Sequence, residues 1–363
     1  MTPNESVVHL TMRHGETELA VGTGVFYQHE DSFYIVTAWH NITGRHADTL
    51  KFLNKYASAP NNLIATYRVW SEELKIMFPH SVEIPLEDQD STFYLVHPEG
   101  WPRRDVSVIP IDIYKPSKMH ARLSDGEDLS YYLPMSYPIS ENGRTQVVPI
   151  QRFFPSNPQV REDYLSWLGQ ADELFIPGYP KGITDHTGQP LWKRASVASS
   201  VLRGWESQPK FLVDCASRQG MSGAPVMMYN KSGVIQFGTG RYVQEGPVAI
   251  FAGVYSGRLG NSDELEAQIG VVWNWTVVND VIASGISGEH SNFFLATEEE
   301  IKVSISRVWP SIEGWNESVL DESKNHRDRL VGTIMKDLNG RVSIKDLKEA
   351  ILCFARDGLG LSP

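Results

Sequence analysis

The stretch from Arg218 to Asn230, RQGMSGAPVMMYN, sets a serine between two glycines, adds a proline, and then runs straight into an apolar segment of strand length. A serine hydroxyl is a poor nucleophile at neutral pH unless a base takes its proton and donors await the oxyanion that its attack creates. The glycines meet the second requirement, because they let the backbone turn until the N–H groups of Gly220 and Ser222 converge on one point. Gly, Ser and Pro are also what ordinary turns are made of. Whether Ser222 is more than a turn residue therefore depends on finding a base and an acid elsewhere in the chain.

The base is expected to be a histidine at the end of a strand, held there by packing. Residues 22–44, GTGVFYQHEDSFYIVTAWHNITG, read as a hairpin whose second strand, Phe33–Thr37, delivers His40 at its end. Most other histidines, such as His46, His120, His186 and His326, stand among polar residues and read as solvated side chains. The acid that orients the ring should be buried near a strand start. WPRRDVSVIPIDIY, residues 101–114, offers Asp105 at the head of an apolar run, with Asp112 and Asp90 as competitors. The order His, Asp, Ser is what joins the three.

The texture around these residues is mainly β. From Val7 to about Trp275 the chain shows short β-branched and aromatic runs bounded by Gly, Pro and Asn, among them SFYIVTAW, DVSVIPIDIY, KFLVDC, APVMMY and VAIFAGVYSG. Helical stretches inside it are brief, VREDYLSWLGQA being the best, so the strand and helix alternation of a parallel sheet is missing. After Gly288 the pattern changes. Leu330, Ile334 and Leu338 are four apart, and Ile344, Leu347, Ile351 and Phe354 follow a three-then-four rhythm, one apolar stripe per helix. Residues 1–288 are thus expected to form the main domain and 289–363 a small helical appendage.

Composition narrows the function further. With 33 Lys and Arg against 44 Asp and Glu, the 363-residue chain carries a formal charge of -11 and no basic block, so an extended phosphate backbone would be repelled. No apolar run approaches the roughly 18 residues of a membrane span. The start MTPNESVVHL lacks a basic segment leading into an apolar one, and there are only two cysteines, Cys215 and Cys353. Neither an export signal nor a disulfide framework is visible, and a cytoplasmic location is expected. Neither nucleic acid nor membrane is expected as a partner.

The three motifs together resemble the chymotrypsin/trypsin-like serine peptidases, and more closely their intracellular bacterial-type members. TAWHNI is similar to that family's Thr-Ala-x-His motif, DVSVI to its aspartate motif, and GMSGAPV to Gly-[Asp/Asn]-Ser-Gly-Gly-Pro. ELFIPGYPKG and WKRASVASSV resemble the turn and strand that precede the family's serine. The resemblance spans about residues 7–285 and implies two six-stranded antiparallel β-barrels, followed here by the helical appendage. It implies that His40 is general base and acid, that Asp105 orients its ring, that Ser222 attacks a peptide carbonyl, and that the Gly220 and Ser222 amides hold the oxyanion. Two departures stand out. Met221 occupies the place where zymogen-type relatives have an activating aspartate, and Ala224 replaces a second glycine.

The same resemblance places Ala216, six before Ser222, at the floor of the primary specificity pocket, which would favour an uncharged residue there; Asp214 is the alternative and would favour a basic one. AGVYSG resembles the strand beside which substrate lies, with Tyr255 and Ser256 along it and Gly257 keeping the pocket mouth open. A protein or peptide substrate follows, with a regulatory or docking partner at the C-terminal helices as an added expectation.

Weaker motifs are read more plainly. Around Gly340, a calcium loop could be written with Asp337, Asn339 and Asp346 at ligand positions, but Met335 would fill its first position and Asp346 its twelfth, where a Glu is needed. A metal-free helical hairpin, with Ser343 as the cap of its second helix, fits better. No HExxH, paired CxxC or Walker loop occurs, so neither metal nor cofactor is expected. An α/β-hydrolase is disfavoured because a strand-like segment follows Ser222 where that fold needs a helix. The other alternative is a catalytically silent binding or scaffold protein on the trypsin fold.

Overall fold

The computed structural model describes residues 2–54, 57–71, 76–122, 128–136, 138–140, 143–144, 147–259, 268–291, 296–309, 324–338, 341–342 and 344–358. It is mainly β, and the chain divides into two compact units, one of residues 1–42 and 60–288, the other of residues 43–59 and 289–363.

The first unit opens with β1 (Val7–His14), β2 (Thr17–His29) and β3 (Ser32–Thr37), a meander of antiparallel neighbours. A short helix, α1 (Trp39–Thr43), closes it. A ten-pair hairpin of β4 (Asn62–Ser71) and β5 (Ile76–Pro85) follows, then β6 (Leu95–Val96), β7 (Ser107–Ile111), and the hairpin β8 (Pro116–Arg122) and β9 (Asp128–Pro134). These form one sheet in the order β6-β7-β3-β2-β1-β4-β5-β8-β9. Here the expectation of two six-stranded barrels is corrected. The N-terminal sheet has nine strands, and among the described residues its end strands β6 and β9 do not pair. The hairpins are the physical reason: β4 carries the ladder on from β1, and β8 continues it from β5 through Ser81 and Val82, so pairing propagates outward.

A two-stranded ribbon, β10 (Pro138–Ser140) and β11 (Gly143–Arg144), precedes α2 (Pro158–Trp167), where Asn157 caps the helix by accepting from Gln159 N at 3.1 Å. The next strands are β12 (Glu173–Gly178), β13 (Leu191–Val197), β14 (Lys210–Asp214) and β15 (Pro225–Asn230), then the ribbon β16 (Val234–Phe237) and β17 (Gly240–Val243), and finally β18 (Val248–Arg258) and β19 (Ile269–Asn274). Six of these close into a barrel, β12-β13-β14-β19-β18-β15. Leu174, Ile176, Phe211, Val213, Val226, Ile250 and Val272 fill it. A second cluster joins Val25, Val36 and Val108 of the sheet to Phe251, Val254 and Trp273, and is covered by α3 (Trp275–Ser284) through Val277, Val278 and Val281. β18 thus serves both cores, one per face, which is why its first eight residues are all buried.

The second unit contains α4 (Glu298–Val308), α5 (Lys324–Asp337) and α6 (Ile344–Gly358). Thr297 and Glu300 form a capping box at the head of α4. Leu330, Ile334, Leu338, Leu347 and Ile351 lie buried together with Ile301 and Ile305, as the helical spacing predicts. Residues 43–59 belong with these helices, a segment the sequence reading assigned to the main domain. There the Arg45 guanidinium stacks 3.7 Å over the Phe52 ring and donates to Leu50 O at 2.9 Å. Burial first, and then the charge of Arg341, lower its pKa to about 10. Asn339, Gly340 and Ser343 of the calcium-like stretch lie outside the described residues, and Asp337 accepts hydrogen bonds from Ser304 and Arg307.

Candidate active site

Strand register brings the first two residues together. β3 and β7 run antiparallel with Thr37 opposite Ser107, so the chain just beyond Thr37 meets the chain just before Ser107. The turn of α1 lifts His40 over that junction. Its backbone N–H donates to Asp105 Oδ1 at 2.9 Å, and ring Nδ1–H donates to Asp105 Oδ2 at 2.7 Å. Since an ionised carboxylate only accepts, the proton must be on Nδ1, which leaves Nε2 as the free basic nitrogen. Asp105 is 5% exposed, and its Oδ2 accepts a further hydrogen bond from the Ser256 hydroxyl.

The electrostatics follow from that arrangement. Burial pulls the His40 pKa down, but the Asp105 charge and hydrogen bond outweigh it and raise it above 6.5. For Asp105, burial works to raise the pKa, and the His40 charge together with the His40 and Ser256 hydrogen bonds turn the shift downward.

The serine loop is shaped by its glycines. Gly220 and Gly223 have φ of +93° and +86°, the left-handed region that favours glycine. A Cβ at Gly220 would collide with Tyr179 O and stand 2.9 Å from Lys181 N; one at Gly223 would collide with Thr23 O and Thr37 Oγ1. Thr23 then ties the loop to β2. Its N–H donates to Ser222 O at 2.8 Å, and its hydroxyl donates to Gly220 O at 2.7 Å while accepting from Tyr179 N at 3.1 Å. Asn41, the residue after His40, donates from Nδ2 to Ser222 O at 2.9 Å. The backbone of Ser222 is therefore fixed against the segment that carries His40. Among the described hydrogen bonds, the N–H groups of Gly220 and Ser222 have no protein acceptor, while Met221 N–H between them turns back to Arg218 O at 3.2 Å. No bond joins the Ser222 hydroxyl to the His40 ring among the described contacts; in free sites such bonds tighten only with substrate.

The remaining expected residues fall as follows. Ala216 and Asp214 are exposed, Cys215 and Ser217 point inward, and Tyr255 is buried. Gly257 has open space around it, with no atom within 4 Å of an added Cβ. The Ser256 hydroxyl, on the strand expected to lie beside substrate, is bonded to Asp105. Met221 is fully buried, and a Cβ on Gly178 would lie 3.1 Å from its Sδ. Sequence reasoning missed Thr23 and Asn41. A signal existed in the two glycines flanking Thr23: an added Cβ on Gly22 would stand 2.6 Å from Asn41 Nδ2, so that glycine makes room for the side chain that reaches Ser222.

No protein-family profile and no curated protein matches the chain. The similar solved structures are bacterial proteases. A serine endoprotease from Yersinia pestis is 13% identical, with 78% of this chain and 63% of that one covered and a TM-score of 0.37. This chain thus spans under two thirds of that protein's length. The protease Anisep from Arthrobacter nicotinovorans is 12% identical, covering 78% and 96%, with a TM-score of 0.38. The active form of the Rv3671c protease from M. tuberculosis is 13% identical, covering 79% and 83%, at 0.34. At these values the likeness carries no argument about activity, and the functional reading rests on the geometry above.

Proposed function

We propose that the protein is a serine endopeptidase. The observation that carries this is the two-point clasp of Asp105 on His40, beside a glycine-shaped loop that is pinned to Thr23 and Asn41 and whose Gly220 and Ser222 amides have no protein acceptor among the described hydrogen bonds. In the proposed reaction His40 Nε2 takes the Ser222 Oγ proton as Oγ bonds to a peptide carbonyl carbon. The resulting oxyanion is met by Gly220 N–H and Ser222 N–H, two donors with no protein acceptor among the described hydrogen bonds. His40 then returns the proton to the leaving nitrogen, the C–N bond breaks, and water repeats the sequence in reverse roles to release the acyl group. Asp105 stays ionised throughout and holds the ring and its tautomer, steadied by Ser256.

The activity is tested with a fluorophosphonate probe and a peptide-library digest. Labelling of the parent and not of Ser222→Ala is expected, and turnover should fall about a million-fold in Ser222→Ala or His40→Ala but nearer ten-thousand-fold in Asp105→Asn. Absence of labelling under any condition would favour the catalytically silent binding protein. The natural substrate we infer is a particular cytoplasmic protein, docked or controlled through the C-terminal helices. The support is the separate helical core of α4, α5 and α6.

A further inference from the structure

We infer that Tyr255 closes the primary specificity pocket from inside, so that the substrate residue whose carbonyl meets Ser222 must carry a side chain no larger than that of alanine or serine. The inference rests on the peptidase reading for the location of the pocket, and it is carried by where the phenol lies. The backbone of Tyr255 is bonded on both sides to the nucleophile loop, accepting from Gly223 N at 2.7 Å and donating to Ala224 O at 2.9 Å. Beyond it, β18 continues past Ser222 as Ser256, Gly257 and Arg258, exposed or partly so. A substrate added as a strand beside these residues directs the side chain of the attacked residue into the wedge between β18 and residues 215–219, the segment that leads to Ser222.

That wedge is filled. The Tyr255 side chain is 1% exposed, its hydroxyl is hydrogen-bonded to the Ser217 hydroxyl, and it belongs to the same buried barrel core as Cys215, Met221, Ala224 and Val272. On the far side the ring rests over Gly270 of β19, where an added Cβ would stand 2.5 Å from Tyr255 Cε2. The glycine is there to admit the ring. Leucine or phenylalanine in the substrate would have to expel a packed phenol, and a lysine would find only hydroxyls, because Asp214 and Ala216 point outward. Burial pushes the Tyr255 pKa up to about 12, so the plug is a neutral phenol at physiological pH.

The test uses the full chain carrying Ser222→Ala and a peptide series identical except for Ala, Ser, Leu, Phe or Lys at the attacked position, with binding read by calorimetry. Ala and Ser peptides are expected to bind at least ten-fold tighter than Leu, Phe and Lys peptides, and adding Tyr255→Ala should bring Leu and Phe to within about three-fold of Ala. Tyr255→Val serves in the same comparison if the alanine variant does not fold. Equal affinities across the series, or a preference unchanged by opening Tyr255, would overturn the proposal. Because binding is read without turnover, these outcomes stay distinct from failure of the peptidase reading, which shows in the unmutated chain as absent fluorophosphonate labelling.

Discussion

Thr23 does at one position what three residues often share. Its N–H, hydroxyl and carbonyl engage Ser222, Gly220, Tyr179 and Thr37, so it fixes the backbone at both Ser222 and Gly220. Thr23→Val keeps the shape but leaves Gly220 O and Tyr179 N without their partner, a cost of about 1–3 kcal/mol for each buried group. Expected is a fall in kcat of ten- to a hundred-fold with KM little changed, measured with an alanine-site peptide. At His40 the sign of the pH effect follows from its shift. The ring must be neutral to act, and its pKa is held above 6.5, so the acid limb of kcat/KM should lie above pH 6.5, with activity lost as pH falls through it. Asp105→Asn should move the limb to lower pH. The pairing of His40 with Asp105 could be anticipated from the sequence, because a histidine ending an apolar strand and an acid heading another each stand in a marked context. Thr23 and Asn41 could not, since a threonine in a strand and an asparagine in a short helix look like structure until the chain is folded.

The elements show which sequence signals are local. Glycine positions were readable from the motif, and the left-handed φ of Gly220 and Gly223 explains both. Gly223→Ala should abolish labelling and lower the melting temperature, since the methyl would collide with Thr23 O and Thr37 Oγ1. Circular dichroism melts alongside probe labelling check this. Strand and helix identities were legible from period and turn residues: α2 and the buried stripes of α5 and α6 lie where the spacing puts them. The closure of the N-terminal sheet was not. Whether β9 bends back to β6 is decided by pairing between residues far apart in the chain, and no residue of either strand advertises its neighbour.

Over the whole molecule, the half-buried His9 and the buried His80 set an acid limit. His9 lies edge-on to Tyr179 with ring centroids 4.9 Å apart, and His80 packs against Tyr67; burial lowers both pKa values to about 4. In the unfolded chain they titrate near 6.5, so from pH 6.5 downward the unfolded state takes up the extra protons and stability falls until about pH 4. Each could remove about 3 kcal/mol by that point. Urea titrations at pH 7 and pH 4.5 should show a smaller loss for His9→Leu than for the parent, and equal losses would show that His9 is not a contributor. The two-unit division was only half legible: the change of texture near Gly288 marks the helices, but nothing in residues 43–59 announces that they fold with them.

That shared membership has a bearing on how such a chain can change over generations. The polypeptide leaves the first unit two residues after His40, enters the helical unit, comes back at Pro60, and goes out again past Gly288. A recombination event that exchanged only the tail would leave the resident loop, with its stacked Arg45 and Phe52, facing a stranger. New helices can be acquired here only together with a rewritten interior segment, so the two parts are expected to be inherited as a set.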